Sequence, residues 1–570
     1  MRIDLASLAA TFKDVEFFLV CLYPATQAVF EGNGGAGLDT LSGDGYWSVT
    51  SSAPQSKQGL VSVTSAGPVL FRGYDADLGV HSYSKAAGKE KLADPAQLEN
   101  GVFAYIRMGR AGAPAIVKSD PLGVAPFYYR VLPDGACMFA SHPPLLHLDQ
   151  DDVNLTGWMS MLQNGFSYGD QSFYKDIHRV PAGTELTVRP GKLEMRVWFD
   201  AAALPVGDQK IDDAAFQIVE DAYAGGMEKL LALGETRTLP FSSGYDSRRF
   251  FATMMEKKAA FKAVTCQTFH RKKGRDYDID SFFAPKIAAE FGVDCELVRA
   301  SSPDEYAADS RRRMSLIGTE SFMHGWAVPF MTWLAKQPMS IVFDGLAGDT
   351  LGNSGYEFDG LHGSAAGDIE ILMKETVDVK KFDELSGLFP AAAQYQQQYR
   401  AHLERYPKNL NGAELAFLQG RTRRCISPWI TMMHPPGQVV VFPYYDLRFV
   451  LATLRYDPAE KYKWFFQKEC LKRSYPAYFD FPGSRNMPAE MAPMPQAQSD
   501  AMDAQAQQFV YGDTAAVLGT LKYLALPNKV LLLLSTVLRP LRNRRSWLFV
   551  PLMLLVKTQQ GHRPFVRRTK

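Results

Sequence analysis

Apolar and polar residues alternate in short runs through the first two hundred positions. Gly101–Met108, Ala115–Lys118 and Pro126–Leu132 read as strands, and the turn Pro133-Asp134-Gly135 leads into another at Ala136–Ala140. Thr184–Val188 and Leu193–Trp198 flank Arg189-Pro190-Gly191-Lys192, which predicts a hairpin. The expectation is a predominantly antiparallel domain ending near Asp200. After a connector at 201–210 the period changes. Ala214, Phe216, Ile218, Val219, Ala222 and Ala224 mark a long helix from Asp212 to Leu233. Strands and helices then alternate: a short strand at Thr236–Pro240, a helix to about Ala260, a strand at Phe261–Phe269, a helix at Ser281–Phe291, and strands at Cys295–Val298 and Met339–Phe343. That alternation predicts a parallel sheet covered by helices, whose ligands gather at the carboxyl ends of the strands. Residues 370–480 read as helix-rich, and the proline-containing stretch 482–502 as a loop or cover. The chain finishes with two apolar runs, Val530–Leu538 and Trp547–Val556, each shorter than the roughly 20 residues a membrane span needs.

At 570 residues and 46% hydrophobic composition the chain can bury more than one core, so two or three domains are expected. Six scattered cysteines with no CxxC pair indicate neither a zinc ribbon nor a disulfide framework, and they fit a reducing compartment. Met1-Arg2-Ile3-Asp4-Leu5 does not open a signal peptide, which makes the cytoplasm the expected location. Net charge is +1, yet no Asp or Glu follows Asp513 while residues 521–570 hold eleven Lys and Arg, so a mildly acidic body carries a basic tail. The tail has two readings: peripheral contact with a membrane surface through 521–570, or helices packed on the body or a partner. Nucleic acid is not an expected partner, since only the tail is basic.

The candidate chemistry begins at Phe241-Ser242-Ser243-Gly244-Tyr245-Asp246-Ser247-Arg248, a small-residue turn between a strand and a helix. Such a turn presents backbone N–H groups to an anion, phosphate above all, although the spacing is not that of a Walker loop. Ser242, Ser243 and Ser247 add hydroxyls, while Asp246 requires Mg²⁺ between itself and a phosphate. The alternative is a turn that merely caps the next helix. A second turn, Asp344-Gly345-Leu346-Ala347-Gly348-Asp349-Thr350, is again small and carboxylate-bearing, so that Asp246 and Asp349 together suit a Mg²⁺ ion. Asp276, Asp278 and Asp280 are either a metal cluster or favourable charge at a helix N-terminus. Glu320 and Tyr356 flank the second turn as acid or base candidates. Arg421, Arg423 and Arg424 either meet an acidic substrate or lie on a solvated face, and His142, His147 and His178 read as structural.

These segments, taken together, resemble the asparagine synthetase-like ATP-dependent amide ligases. Phe241–Arg248 is similar to that family's serine-glycine-glycine-x-aspartate-serine pyrophosphate loop, Asp344–Thr350 to its later glycine-acid motif, and Pro443-Tyr444-Tyr445-Asp446 to its proline-phenylalanine-leucine-aspartate segment. Asp280, Ala284, Ala288 and Phe291-Gly292 resemble its helix after the second strand. Upstream, Ser119-Asp120-Pro121-Leu122-Gly123, Phe139-Ala140-Ser141 and Ile177–Thr184 resemble segments of its first domain, in the family's order. The resemblance spans roughly 100–490. It implies a glutamine-amidotransferase-like antiparallel β-sandwich over 1–205, without a working glutaminase, and an α/β parallel-sheet ATP-pyrophosphatase (adenine nucleotide α-hydrolase-like) synthetase domain over 206–500. A helical basic and apolar extension over 501–570 follows.

By carry-over, ATP and Mg²⁺ are the expected cofactors. Ser242, Ser243, Gly244, Tyr245, Asp246, Ser247, Gly345 and Gly348 would line the nucleotide site, and Asp246 and Asp349 would hold the metal. Asp246, Asp349, Lys463 and Glu320 are the expected catalytic groups, with Lys461 the alternative to Lys463 as the late cation. The chain departs from the family pattern at Met1, where glutamine-using members start with cysteine, and at Ser243, Arg248 and Thr350. Loss of the cysteine resembles the branch that closes intramolecular amides, the β-lactam synthetases and lasso-peptide macrolactam cyclases of antibiotic biosynthesis. Macrolactam formation on a lasso-type peptide is the first expectation, with a precursor-peptide protease or other biosynthetic partner. A ligase acting on a small metabolite, sugar or β-amino acid is the second, and a non-catalytic scaffold binding a peptide or partner the third.

Overall fold

The computed structural model describes the chain except for residues 26, 33–36, 54–58, 110–112, 149–151, 205–206, 268–269, 273–274, 300–307, 310–311, 314, 319–320, 322–326, 354–384, 386–390, 407–409, 482–490, 494–510, 512, 525, 539–540, 542–545, 562–563 and 568–570. Two antiparallel sheets form the first region. One runs Lys192–Val197, Thr184–Arg189, Ala115–Ser119, Gly101–Arg107, Gly67–Asp75, Val61–Thr64. The other runs His178–Arg179, Tyr128–Val131, Cys137–Ala140, Phe18–Leu22, Tyr46–Ser51, Leu38–Gly43. Period-two alternation sorts the first sheet's side chains. Leu70, Ala104, Ile106 and Val117 enter the main core with Phe18, Val20, Val49 and Phe139 of the second sheet. Val69, Phe71, Phe103, Tyr105 and Ile116 face the other way, into a separate cluster closed by Leu92 and Leu98.

The helix Leu155–Asn164 is an addition to the sequence reading, although its signals are in the sequence. Asn154 caps it by accepting from Gly157 N at 3.1 Å, and Gly165 ends it with a φ of +77°. The expected long helix is Asp213–Leu231, with the Asp212 side chain as its cap.

The second sheet system is parallel throughout: Cys295–Val298, Lys262–Cys266, Arg237–Pro240, Ser340–Phe343, Gln438–Val441. In chain order this is 3-2-1-4-5, so the order reverses between Arg237–Pro240 and Ser340–Phe343. The crevice outside the carboxyl ends of those two strands is where such sheets bind ligands. The fifth strand, Gln438–Val441, is another addition, and it joins the two regions: the next residue, Phe442, donates its N–H to Tyr74 Oη at 3.0 Å.

The tail returns to the first region. Val566–Arg567 pairs antiparallel with Arg2–Asp4, Trp158 meets Tyr523 with ring centroids 5.2 Å apart, and Leu548, Phe549, Leu552, Met553 and Val556 are buried. Among the described residues no helix is long and apolar enough to cross a membrane.

Candidate functional site

Both expected turns leave the two strands that flank the reversal. Arg237–Pro240 leads through Phe241–Gly244 into the helix Tyr245–Glu256, and Ser340–Phe343 leads through Asp344–Ala347 into the short helix Gly348–Asn353. Two glycines let them abut. A Cβ at Gly348 would sit 2.5 Å from Asp246 Cγ and Oδ1, and one at Gly345 would sit 3.3 Å from Asp246 Cβ. The left-handed position of the second turn is taken by Ala347, with a φ of +74°. Strain at a non-glycine residue is held here by the surrounding packing.

The serine turn is braced by its own side chains. Ser242 N donates to Ser247 Oγ (3.1 Å), Gly244 N donates to Ser242 Oγ (3.1 Å), and the two hydroxyls lie 2.9 Å apart. Ser243, at the position where the resembled loop has glycine, is buried, and both its N–H and Oγ donate to Asp280 Oδ1 at 2.9 Å. Asp280 therefore ties the turn to the first turn of Ile279–Glu290, where its charge is also favourable. The first turn of Tyr245–Glu256 has no side-chain cap. Among the described residues no side chain answers the leading N–H groups of that helix, whose N-terminal dipole faces the crevice.

Asp246 is half-buried in the crevice. Burial, the neighbouring charge of Asp349 and then that of Asp344 push its carboxyl up to about 7, against the opposing Gln467 hydrogen bond and the Arg249 charge. Gln467 Nε2 donates to Asp246 Oδ1 at 3.0 Å, and Arg249 Nη1 donates to Gln467 Oε1 at 3.0 Å. Arg249 is itself fixed by Glu220 at 2.5 Å and by the face of Tyr223, 3.8 Å away. The Tyr444 hydroxyl also accepts from Gln467. Asp344 accepts from Leu346 N (2.9 Å), and burial pushes its carboxyl up to about 6. Asp349 is exposed and accepts from Thr350 N at 2.8 Å.

Several candidates take other roles. Lys461 is fully buried against Glu414, 2.6 Å away, so it supplies no cation to the crevice. Lys463 sits in the helix Pro458–Trp464, and the placement of its side chain lies outside the described residues, as do Glu320 and Tyr356. Arg248 ties the loop to the chain at Phe479–Phe481. Its Nη1 donates to Phe479 O (2.9 Å) and Phe481 O (3.3 Å), and its guanidinium stacks on Tyr245. Thr350 is buried, with Oγ1 3.2 Å from Thr422 Oγ1.

Arg423 and Arg424 are neither solvated nor aimed at a substrate. Arg423 Nε donates to Gly123 O (2.9 Å) and its Nη2 pairs with Asp170 (3.0 Å), while Arg424 donates to Ser167 O (3.0 Å) and Gln171 O (2.8 Å). They fasten the π-helix Leu418–Ile426 to the first region. Gly123 is glycine for a physical reason: its φ is +64°, and a Cβ would meet Arg423 Nε at 2.7 Å. His142 is a buried link, with Nε2 2.8 Å from Met432 O, and His147 stacks on Tyr174.

The structure adds Gln467, Arg249, Asp344 and one cation to the residues that the sequence singles out. Lys468, half-buried, places its ammonium 6.0 Å from the Tyr245 ring and 5.5 Å from that of Phe479, beside the serine turn. No local signal marks it, because nothing in the sequence ties Phe466–Ser474 to a turn more than two hundred residues earlier.

Five of the chain's six cysteines are buried, and Cys266 is half-buried. Burial raises the thiols of Cys21 and Cys425, pushes Cys137 up to about 11, and pushes Cys266, Cys295 and Cys470 up to about 12.

Among curated proteins nothing matches the chain. Glutamine phosphoribosylpyrophosphate amidotransferase from B. subtilis, solved with ADP and GMP, is 12% identical and covers 59% of this chain and 77% of its own, but its TM-score of 0.20 gives the likeness no weight. Residues 75–199 match the sequence model of a glutamine amidotransferase domain, so the antiparallel region carries an amidotransferase-like segment.

Proposed function

We propose that this chain is an ATP-dependent ligase that activates a substrate carboxylate as an acyl-adenylate, releases pyrophosphate, and passes the acyl group to an amine without hydrolysing glutamine. The observation that carries the proposal is the meeting of two turns at the reversal of a parallel sheet. An uncapped helix N-terminus and a pair of carboxylates there share one crevice.

The donor set fits Mg²⁺. Asp246 and Asp349 are hard oxygen donors whose mutual repulsion a divalent cation would relieve, and one or two carboxylates plus substrate phosphates are the usual holders of this ion. When bound, the ion would neutralise charge on the phosphate chain. This chain's own residues do the rest. The first-turn N–H groups of Tyr245–Glu256 receive the departing pyrophosphate, Lys468 adds a cation beside it, and Gln467, held by Arg249, keeps the Asp246 carboxylate aimed at the crevice. The burial of five cysteines and the half-burial of Cys266 support an amine that comes from the substrate or from ammonia rather than from glutamine. An internal amine, closing a macrolactam in a lasso-type peptide, is the first form of this reading, and a small metabolite, sugar or β-amino acid carboxylate is the second.

The test is pyrophosphate release with candidate carboxylates, alone and with amines. Release should require both ATP·Mg²⁺ and a carboxylate, and should fall by roughly a hundredfold or more in Asp246→Asn, the scale of losing one charge-stabilising group. An absence of ATP·Mg²⁺ binding would instead favour a non-catalytic scaffold.

A further inference from the structure

The tail contains one helix whose polarity is inverted. Leu526–Val537 turns Asn528, Leu532 and Ser535 inward, where they are buried. Its outward face carries Leu526 (73% exposed), Val530, Leu533, Leu534 and Val537 (78% exposed), and Leu538 continues that face. The spacings of four, seven, eight and eleven from Leu526 define one side of a helix. A helix lying on a body in water puts its apolar stripe inward. Single exposed leucines are ordinary, but a continuous row of Leu and Val is the signature of a docking surface. The neighbouring helix Ser546–Gly561 does not share this inversion: it buries Leu548, Phe549, Leu552 and Met553.

Charge identifies the occupant. From Thr514 to Lys570 the chain has no acidic residue, and residues 521–570 hold eleven Lys and Arg. Lys522 is exposed just before the helix, and Lys529 lies on its flank. A second copy on this face would bring two strongly cationic segments together. An anionic lipid surface satisfies both properties at once, taking the apolar row into its acyl boundary and the lysines among its headgroups. At twelve residues the helix is about 18 Å long, well short of a bilayer core, so it lies in the plane of the surface. We propose that the chain docks on anionic bilayers through the outward face of Leu526–Val537. This inference stands apart from the reading of the crevice.

The test is flotation of the full chain with phosphatidylcholine vesicles, with and without phosphatidylglycerol. Binding is expected with phosphatidylglycerol, weaker by roughly tenfold without it, and diminished by added salt. The triple variant Val530→Glu, Leu533→Glu, Val537→Glu should bind roughly tenfold less or worse, with unchanged thermal unfolding because these side chains are exposed. Leu533→Trp supplies an independent reading: the fluorescence of the introduced indole should shift to the blue on adding anionic vesicles. Three results would overturn the proposal: wild type that never floats, a triple variant that floats equally well, or a Leu533→Trp variant whose added emission vesicles leave unmoved. Wild type that sediments as a dimer without lipid, and that the triple variant returns to monomer, would give the face to a second copy instead.

Discussion

The seam between the antiparallel region and His434, and the crevice of the parallel sheet, hold their carboxylates in opposite ways. At the seam, where Glu16 and Arg72 meet His434, charged groups answer one another. Glu16 is fully buried, yet Arg72 Nε donates to it at 2.8 Å, His434 Nε2 lies 2.9 Å away, and the Tyr83 hydroxyl donates to its second oxygen. Burial alone would raise that carboxyl, but the charges of His434 and Arg72 bring it down to about 2. In the crevice, burial and then the charges of Asp349 and Asp344 push Asp246 up to about 7. One arrangement stabilises the fold by pairing. The other leaves charge uncompensated, which is what a site awaiting a cationic or polar guest requires.

The contrast is sharpest at Glu16. Glu16→Gln keeps the shape but strips the negative charge from between Arg72 and His434, and a broken buried pair typically costs about 3–5 kcal/mol. Chemical denaturation should register that loss, while pyrophosphate release per folded molecule stays unchanged. If activity fell and stability did not, the division of labour between seam and crevice would be wrong. Gly348→Val is the reciprocal change. Its side chain would enter the space of Asp246 Cγ and Tyr444, displacing the carboxylate, and a misplacement of about 1 Å can cost on the order of a hundredfold in rate. Here activity should collapse with a modest change in unfolding.

Much of this contrast is legible before the fold. The paired turns, the alternation that makes a parallel sheet, and the hairpin at 184–197 all follow from local pattern, and each has its counterpart in the structure. What local pattern cannot convey is which distant groups meet. Arg423 and Arg424 read as a solvated or substrate-facing cluster, yet they reach carbonyls of the first region 300 and 257 residues earlier. Lys461 reads as a free cation, yet Glu414 stands against it. Asp280 reads as a helix-terminal charge, whereas its tighter bonds go to Ser243, the residue that replaces a glycine of the resembled loop. Gln438–Val441 escapes the sequence reading because four residues after a Pro-Pro-Gly turn give little periodicity to count.

Lys468 offers a smaller test of the same division. Its ammonium stands by the uncapped helix start with Tyr245 and Phe479 beneath it, so Lys468→Met preserves the packing and removes only the charge. The apparent KM for ATP should rise about tenfold, the worth of one charge-assisted contact, with little change in thermal unfolding. An unchanged KM would move the nucleotide's phosphates away from this end of the sheet.

The smallest effect tests the cause of the contrast itself. A carboxyl whose pKa rises from 3.8 to about 7 on folding binds more protons folded than unfolded between those values. Asp246 therefore makes the native state progressively less stable as pH climbs from about 4 to about 7, the reverse of a paired acid such as Glu16. Asp246→Asn removes that dependence. Below pH 4 the two proteins should melt together, and by pH 8 the variant should melt higher by on the order of 2 °C. Adding Mg²⁺ at pH 8 should narrow the gap by stabilising wild type alone, because only wild type keeps both carboxylates for the cation. Parallel melting across the whole range would show that Asp246 is not raised above its ordinary value on folding. A gap that opens with pH but ignores Mg²⁺ would keep the raised carboxyl and remove the ion from the site.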